Sequence, residues 1–289
     1  MAVPVDPVPV EPNDGRAVEP GDGSSPAEPR RRVAAFFDLD KTIIATSSAT
    51  AFSKGFLAQG LLTRRSVVAS AYAQLAYLLG GADEASTERL RAALARTVAG
   101  WDVAQVSTIV RETLHESIDP TVYAEALDLI AEHRAAGHDV VVVSASGVEV
   151  VEPIAALVGA DRAIATRMTV EDGRYTGEIE FYAYGENKAT AIRELAAARG
   201  YDLEASFAYS DSITDAPMLA AVGHGAVVNP DRTLRRLALA EGWDVLTFRR
   251  PVPLRRLDTR VGVTSGAVLA LVTALVVAAW WWRRRRRPA

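Results

Sequence analysis

The sequence predicts an α/β protein: a doubly wound parallel sheet, with a helical module inserted after the first strand and a transmembrane helix toward the C-terminal end. Three observations lead there. Short apolar runs rich in Val, Ile and Phe alternate with helical patterns through 118–248. Between the first of these strands and the rest, about residues 46–117, no strand pattern intervenes. Finally, Val261–Trp282 carries no charged residue.

Taken in order, Val33–Phe37 reads as a short buried strand that ends abruptly in two acids, Asp38 and Asp40. The region 46–117 holds a helix capped by Thr63 that runs to Leu79 and stops at Gly80-Gly81, a second over Thr87–Ala99 and a third about Val103–Glu116. Asp119 and Pro120, as N-cap and first helical residue, start a helix that ends at Gly137. Val140–Val143 is a buried strand. A helix about Glu149–Val158, a short strand near Ile164–Met168 and a hairpin around Asp172-Gly173 follow. A helix from Lys188 to Arg199, a strand Ser206–Ser210 and a helix about Thr214–Val222 come next. Strand Ala226–Val228, helix Asp231–Glu241 and a strand near Val245 complete the set.

Length and composition set outer limits. A chain of 289 residues accommodates one sizeable α/β domain plus an insertion. The net charge of −4 gives no general case for a nucleic-acid partner. With no cysteine, disulfides, thiolate catalysis and Cys-ligated zinc are excluded. Residues 1–32 are rich in Pro, Gly, Asp and Glu and hold few large apolar side chains, so a disordered arm is expected there. That arm has no apolar segment of the kind that marks a secretory signal peptide.

The run 261–282 is long enough to span a bilayer core, which takes roughly 20 apolar residues. It closes with Trp280, Trp281 and Trp282, an interfacial aromatic cluster, followed by the polybasic tail 283–289 with its arginines Arg283–Arg287. A basic linker, 249–260, precedes it. Arg249, Arg250, Arg255, Arg256 and Arg260 balance the arginines beyond the span, so the positive-inside count is tied. A single-pass anchor in the cell membrane, with the preceding domain on the cytoplasmic side, is the simplest expectation. An interfacial helix that keeps both basic flanks inside is the alternative.

Four polar features fall where loops after parallel strands should lie, which is where open α/β sheets bind ligands. Asp38 and Asp40 are close enough to repel, and they need a cation, a shared proton or good hydrogen bonding. Strand alternation lets both lean the same way, as a nucleophile and a proton donor for one substrate would require. Ser144-Ala-Ser-Gly147 offers a hydroxyl and free backbone N–H groups ahead of a helix, a reasonable phosphate or oxyanion cradle. Lys188 stands in the first turn of a helix, where the helix dipole favours acids rather than a lysine. Asp211-Ser-Ile-Thr-Asp215 sets a second pair of carboxylates at a strand mouth. Each alone is also readable as a solvated turn, a cap or a surface lysine. The histidines His115, His133, His138 and His224 have no metal-ligand spacing and read as structural.

The order of these features along the chain resembles the haloacid dehalogenase superfamily, over about residues 33–248. Phe-Phe-Asp-Leu-Asp-Lys-Thr-Ile-Ile-Ala-Thr-Ser-Ser-Ala and Tyr-Ser-Asp-Ser-Ile-Thr-Asp-Ala-Pro-Met-Leu look like its subfamily IB hydrolases, and the helical insertion looks like the C1 cap of the phosphoserine-phosphatase-like branch. The resemblance implies a core over 33–45 and 118–248, a cap over 46–117, and a phosphomonoesterase. In that reading Asp38 is the nucleophile that forms an aspartyl-phosphate, and Asp40 the general acid and base. Ser144 and Lys188 hold the phosphoryl oxygens, with Thr42 assisting or fixing the loop. Mg²⁺ is the implied cofactor, held by the carboxylates of Asp38 and Asp211 and the backbone carbonyl of Asp40, with Asp215 acting through water or bracing Lys188.

Two other registers are weaker. Asp40-Lys41-Thr42 alone is similar to the phosphorylation motif of P-type ion pumps, but this chain is far too short for one. A dehalogenase lacks the acid two residues after the nucleophile. The branch also departs from pattern at one place: phosphoserine phosphatases carry a glutamate nine residues after the nucleophile, and here that position is Ser47. The expected substrate is therefore a small phosphorylated metabolite or a lysophospholipid-type phosphate ester met at membrane lipids. Phosphoserine itself, or a non-catalytic membrane adaptor that keeps the fold, are the alternatives.

Overall fold

The computed structural model describes residues 32–62, 91–92, 95–249 and 251. The expected arm, apart from Arg32, the helix Thr63–Leu79, the span Val261–Trp282 and the tail Arg283–Arg287 lie outside these residues. Among the described residues no helix is long and apolar enough to cross a membrane.

The architecture is a seven-stranded sheet. Its strands are β1 (Ala34–Asp38), β2 (Asp139–Gly147), β3 (Arg162–Glu171), β4 (Arg174–Phe181), β5 (Phe207–Ser210), β6 (His224–Val228) and β7 (Asp244–Leu246), in the spatial order β4-β3-β2-β1-β5-β6-β7. All neighbours pair in parallel except β3 and β4, the hairpin at one edge. Asp172 and Gly173 turn that hairpin with positive φ at both positions, as a tight two-residue connection requires.

The chain starts at the centre, works outward through β2 to β4, then returns to the other side of β1. The direction of winding therefore reverses between β1 and β5, a topological switch point, and a crevice opens there at the carboxyl ends of the strands. β1 is buried along its whole length, which accounts for its unbroken apolar run. Phe37 faces a core with Val140, Val142, Val151 and Ile154, while Phe36 faces a second core with Val141, Ile192, Met218 and Leu234. The helices on the Phe37 side include α3 (Ala124–Ala135) and α4 (Val148–Val158); on the Phe36 side lie α5 (Glu186–Arg199), α6 (Ala216–Ala220) and α7 (Arg232–Glu241).

After β1 the chain leaves the sheet through α1 (Ser48–Ala58) and returns through α2 (Val103–Ile118). Phe52 and Phe56 of α1 are buried, and a Cβ on Gly55 would stand 3.1 Å from Ile109 of α2, so that glycine permits close approach of the two helices. The expected helix Thr87–Ala99 is helical at 91–92 and 95–98. The expected Val103–Glu116 is α2, with Asp102 as its N-cap.

β3, β6 and α5 each begin two residues before the expected position, and three boundaries differ more. The helix expected from Pro120 starts only at Ala124. Asp119–Thr121 is a single 3₁₀ turn, and Val122 and Tyr123 are extended because they bridge to Ile44 and Pro251. Strand β2 runs on past Val143 through the small residues to Gly147, with a register shift against β3 between Ser144 and Gly147. The helix expected over Thr214–Val222 divides into a 3₁₀ turn, Ile213–Asp215, and the short α6, with Pro217 at its start.

Candidate active site

Register places the functional groups at one level. Asp38 pairs with Val143, so Ser144 stands one residue beyond it; Phe37 pairs with Tyr209, so Ser210 lies level with Asp38. Just past β1 the chain doubles back. Leu39 O accepts from the N–H groups of Thr42, Ile43 and Ile44, and Lys41 takes the left-handed conformation with φ of 62°. This tight reversal returns the Thr42 hydroxyl to Asp38, 3.3 Å from its Oδ2. Thr42 Oγ1 also accepts from Asp211 N at 3.1 Å, which joins the loop after β1 to the loop after β5.

Lys188, in the first turn of α5, reaches into this crevice. Its Nζ donates to Asp38 Oδ1 at 2.7 Å and to Asp215 Oδ2 at 2.8 Å, and all three residues are buried. Asp215 Oδ2 accepts as well from Ser210 Oγ at 2.7 Å. Burial alone would lower the lysine's pKa, but the two carboxylates outweigh it and hold the ammonium charged above its usual range. Asp38 is pushed up to about 8, first by burial, against the pull of Lys188, with Asp215 and Asp211 adding to the rise. Asp211 is pushed up to about 6, again chiefly by burial. The acids thus outnumber the one buried cation.

Asp40 is arranged differently. Its Oδ1 accepts from Ser48 N, the first N–H of α1, at 2.8 Å, and Ser48 Oγ lies 3.4 Å from its Oδ2. Burial raises its pKa and the bonds from Ser48 oppose the rise. Ser144, also buried, accepts from Ser146 N at 3.2 Å, and Thr166 ties Ala145 O into the sheet at 2.7 Å. All six residues expected at the site therefore converge, and Thr42 with them. Sequence reasoning missed Ser48, Ser146 and Ser210, since a serine near an acid carries no spacing signal of its own. Ser47 caps α1, its Oγ accepting from Thr50 N.

Oxygen donors in excess of cationic charge suit a hard divalent ion. As they stand, Asp38 and Asp215 turn toward Lys188, and among the described residues no three His, Asp or Glu side chains form a finished metal cage. The histidines lie elsewhere: His115 on Asp119 at 3.1 Å, His133 on His138 and Tyr209, and His224 stacked on Phe207.

Residues 35–220 match the sequence model of the haloacid dehalogenase-like hydrolase family. The chain belongs to that family. A probable phosphatase of Mycobacterium tuberculosis is 62% identical over 86% of this chain and 85% of its own length. A phosphoserine phosphatase of the same organism is 35% identical over 82% of this chain and 76% of its own. A histidinol-phosphatase of Neisseria meningitidis is 32% identical, over 74% and 98% respectively. A crystal structure of a Bordetella pertussis protein of unknown function superposes with a TM-score of 0.66 at 29% identity, covering 74% of this chain and 98% of that one. Within the family this chain is a phosphatase, of the phosphoserine-phosphatase-like kind.

Proposed function

We propose that this phosphatase is a Mg²⁺-dependent phosphomonoesterase that works through an aspartyl-phosphate on Asp38, with small phosphorylated metabolites as substrates. The observation that carries the reading is the contrast between the two acids of the first loop. Asp38 is buried against an ammonium that fixes one of its oxygens. Asp40 is held instead by an N–H and lies near a hydroxyl, with its pKa raised by burial, while the hydrogen bonds of that ammonium go to Asp38 and Asp215. The first arrangement suits a nucleophile, the second a group that gives and takes a proton.

In this reading the Asp38 oxygen that Lys188 does not hold attacks phosphorus while the carboxyl of Asp40 protonates the departing alkoxide. Asp40, now a carboxylate, takes a proton from the water that attacks the phospho-enzyme, which restores Asp38. Lys188 and the Ser144 hydroxyl hold the phosphoryl oxygens as charge builds on them. Asp38, Asp211 and the carbonyl of Asp40 would hold Mg²⁺, with Asp215 bracing Lys188. The ion supplies electrostatic stabilisation of the phosphoryl group when bound. The charge surplus in the crevice and the raised pKa values of Asp38 and Asp211 support a cation there.

The relatives named for phosphoserine and histidinol phosphate both point to a small phosphorylated alcohol as substrate. A lipid-derived ester depends on the membrane anchor over Val261–Trp282, for which sequence alone speaks; truncation after Arg260 and fractionation test that anchor. For the chemistry, p-nitrophenyl phosphate hydrolysis with Mg²⁺ and with chelator, followed by denaturing quench, should show metal-dependent turnover and a phosphoryl group on Asp38. Turnover that survives chelation, or an unlabelled protein at steady state and in the burst, overturns the metal or the intermediate respectively.

A further inference from the structure

Ser48 has a hydroxyl that the helix does not need. Capping of α1 is done by Ser47, whose Oγ accepts from Thr50 N, and Ser48 begins the helix proper. Yet Ser48 is fully buried. Its Oγ lies 3.4 Å from Asp40 Oδ2 on one side and 2.7 Å from Ser146 Oγ on the other. Ser146 in turn donates its N–H to Ser144 Oγ at 3.2 Å. Polar contacts therefore lead from the acid on the loop after β1 to Ser146, 98 residues from Ser48 in sequence, whose N–H meets Ser144 within β2.

We propose that Ser48 and Ser146 are positioning residues for Asp40: their hydroxyl pair fixes the plane of its carboxyl and its distance from the phosphoryl-holding end of β2. This rests on the reading of Asp40 as the acid that protonates the leaving group. The backbone N–H of Ser48 anchors only Oδ1 of Asp40, and rotation about that one contact would swing Oδ2 away from the ester oxygen. The Ser48 hydroxyl limits that rotation, and Ser146 keeps the hydroxyl from turning elsewhere. Because Ser146 also contacts Ser144, one link sets both the proton donor and the phosphoryl site in a common frame, and small misplacement at such a frame is costly.

The consequence is dependence on the leaving group. A positioned proton matters most for esters that leave as strong bases and least for those that leave as stable anions. The full chain is assayed with Mg²⁺ on a series of aryl phosphates from phenyl to 2,4-dinitrophenyl, comparing kcat/KM, which covers steps through loss of the aryl oxide. Ser48→Ala and Ser146→Ala should each lose about three- to tenfold on phenyl phosphate and almost nothing on the dinitrophenyl ester, the size expected for one hydrogen bond. The double variant should be no worse than the worse single one, since both cut the same link. Ser146→Thr, which keeps the hydroxyl, should restore most of the loss, and Ser146→Ala carries the test alone if the buried Ser48→Ala change impairs folding. Equal losses along the whole series, or none, with a normal melting temperature would overturn the positioning role. Asp40→Asn separates this from the parent reading: it should steepen the dependence more than either serine variant, and if it does not, the acid role of Asp40 falls rather than the serine link alone.

Discussion

Lys188 and Asp215 stand 2.8 Å apart with both side chains buried, and the same ammonium lies 2.7 Å from Asp38. Breaking a buried pair by removing one partner costs about 3–5 kcal/mol, because the remaining charge is left in a poorly solvating interior. Lys188→Met keeps much of the stem's volume and leaves two acids facing each other. It should abolish turnover and lower the urea-unfolding free energy by about 3 kcal/mol at pH 8 without metal. At pH 5 the loss should shrink, since Asp38, pushed up to about 8 by burial, takes up a proton in place of the ammonium. An equal loss at both values would mean that the acids are not what the lysine serves.

The two acids of the first loop should fail in different ways. Asp38→Asn removes the attacking oxygen's charge and should end turnover with the fold intact. Asp40→Asn keeps the acceptor for Ser48 N but cannot give a proton, and should slow turnover roughly 10²- to 10⁴-fold. Rapid quench separates them: no phospho-enzyme in the first, a slow one in the second. Appreciable activity in purified Asp38→Asn would transfer the nucleophile's role to Asp40.

Removal of metal should show in stability as well as in rate. Asp38 and Asp211 have folded-state pKa values of about 8 and about 6, above the unfolded value of 3.8. Groups raised in this way hold more protons folded than unfolded, so their contribution is present below pH 4 and is lost as pH rises toward 8. A cation that binds the ionised forms reverses the loss. The Mg²⁺-induced stabilisation, followed as a rise in melting temperature, should therefore grow from pH 5 to pH 8, reaching about 2.7 kcal/mol at a hundredfold excess over Kd. Asp211→Asn should reduce it. A Mg²⁺ shift independent of pH would refute this account.

How much of this was legible in the sequence depended on distance along the chain. Asp38, Ser144 and Asp211 could be placed because parallel strands bring their carboxyl ends to one crevice, whatever the loops do, whereas Lys188, on the helix after the antiparallel β4, was placed by the family resemblance. The Pro120 boundary was misplaced for the opposite reason. Asp-Pro is a sound local helix start, but Tyr123 N donates to Ile43 O and Ala45 N to Thr121 O, and these pairings hold the chain extended. The reach of β2 through Gly147 depends similarly on β3, which arrives later in the chain. The Ser48–Ser146 contact joins two serines that nothing in either local pattern connects.

His133 gives a pH dependence of the other sign. It is buried, with Nε2 2.8 Å from Tyr209 OH and Nδ1 2.9 Å from His138 Nδ1. Burial first, and His138 next, lower its pKa to about 4 from 6.5. A histidine depressed in this way favours the folded state above pH 6.5, and that contribution is lost as pH falls toward 4. His133→Phe should flatten the acid limb of the stability curve, read as the melting temperature between pH 6.5 and 4 with chelator present. An unchanged limb would place the acid sensitivity elsewhere.

Ser47 bears on specificity. As the N-cap of α1 it satisfies Thr50 N, and it immediately precedes Ser48, the residue that holds Asp40, at the base of the inserted module. A serine there presents no charge to a substrate ammonium, whereas a charge-assisted hydrogen bond contributes about 1.5–3 kcal/mol, roughly 10- to 100-fold in binding. Ser47→Glu should move the preference toward phosphoserine relative to glycerol phosphate. The glutamate also removes a good cap, worth about 1 kcal/mol, so Ser47→Ala is the proper reference, since it loses the cap without gaining the charge. The quantity to compare is the ratio of kcat/KM for the two esters in each variant, which cancels a general loss of folded enzyme. Wild-type protein whose kcat/KM for phosphoserine far exceeds that for every other phosphomonoester would show that the ammonium is met by some other group, and that Ser47 acts as a cap and nothing more.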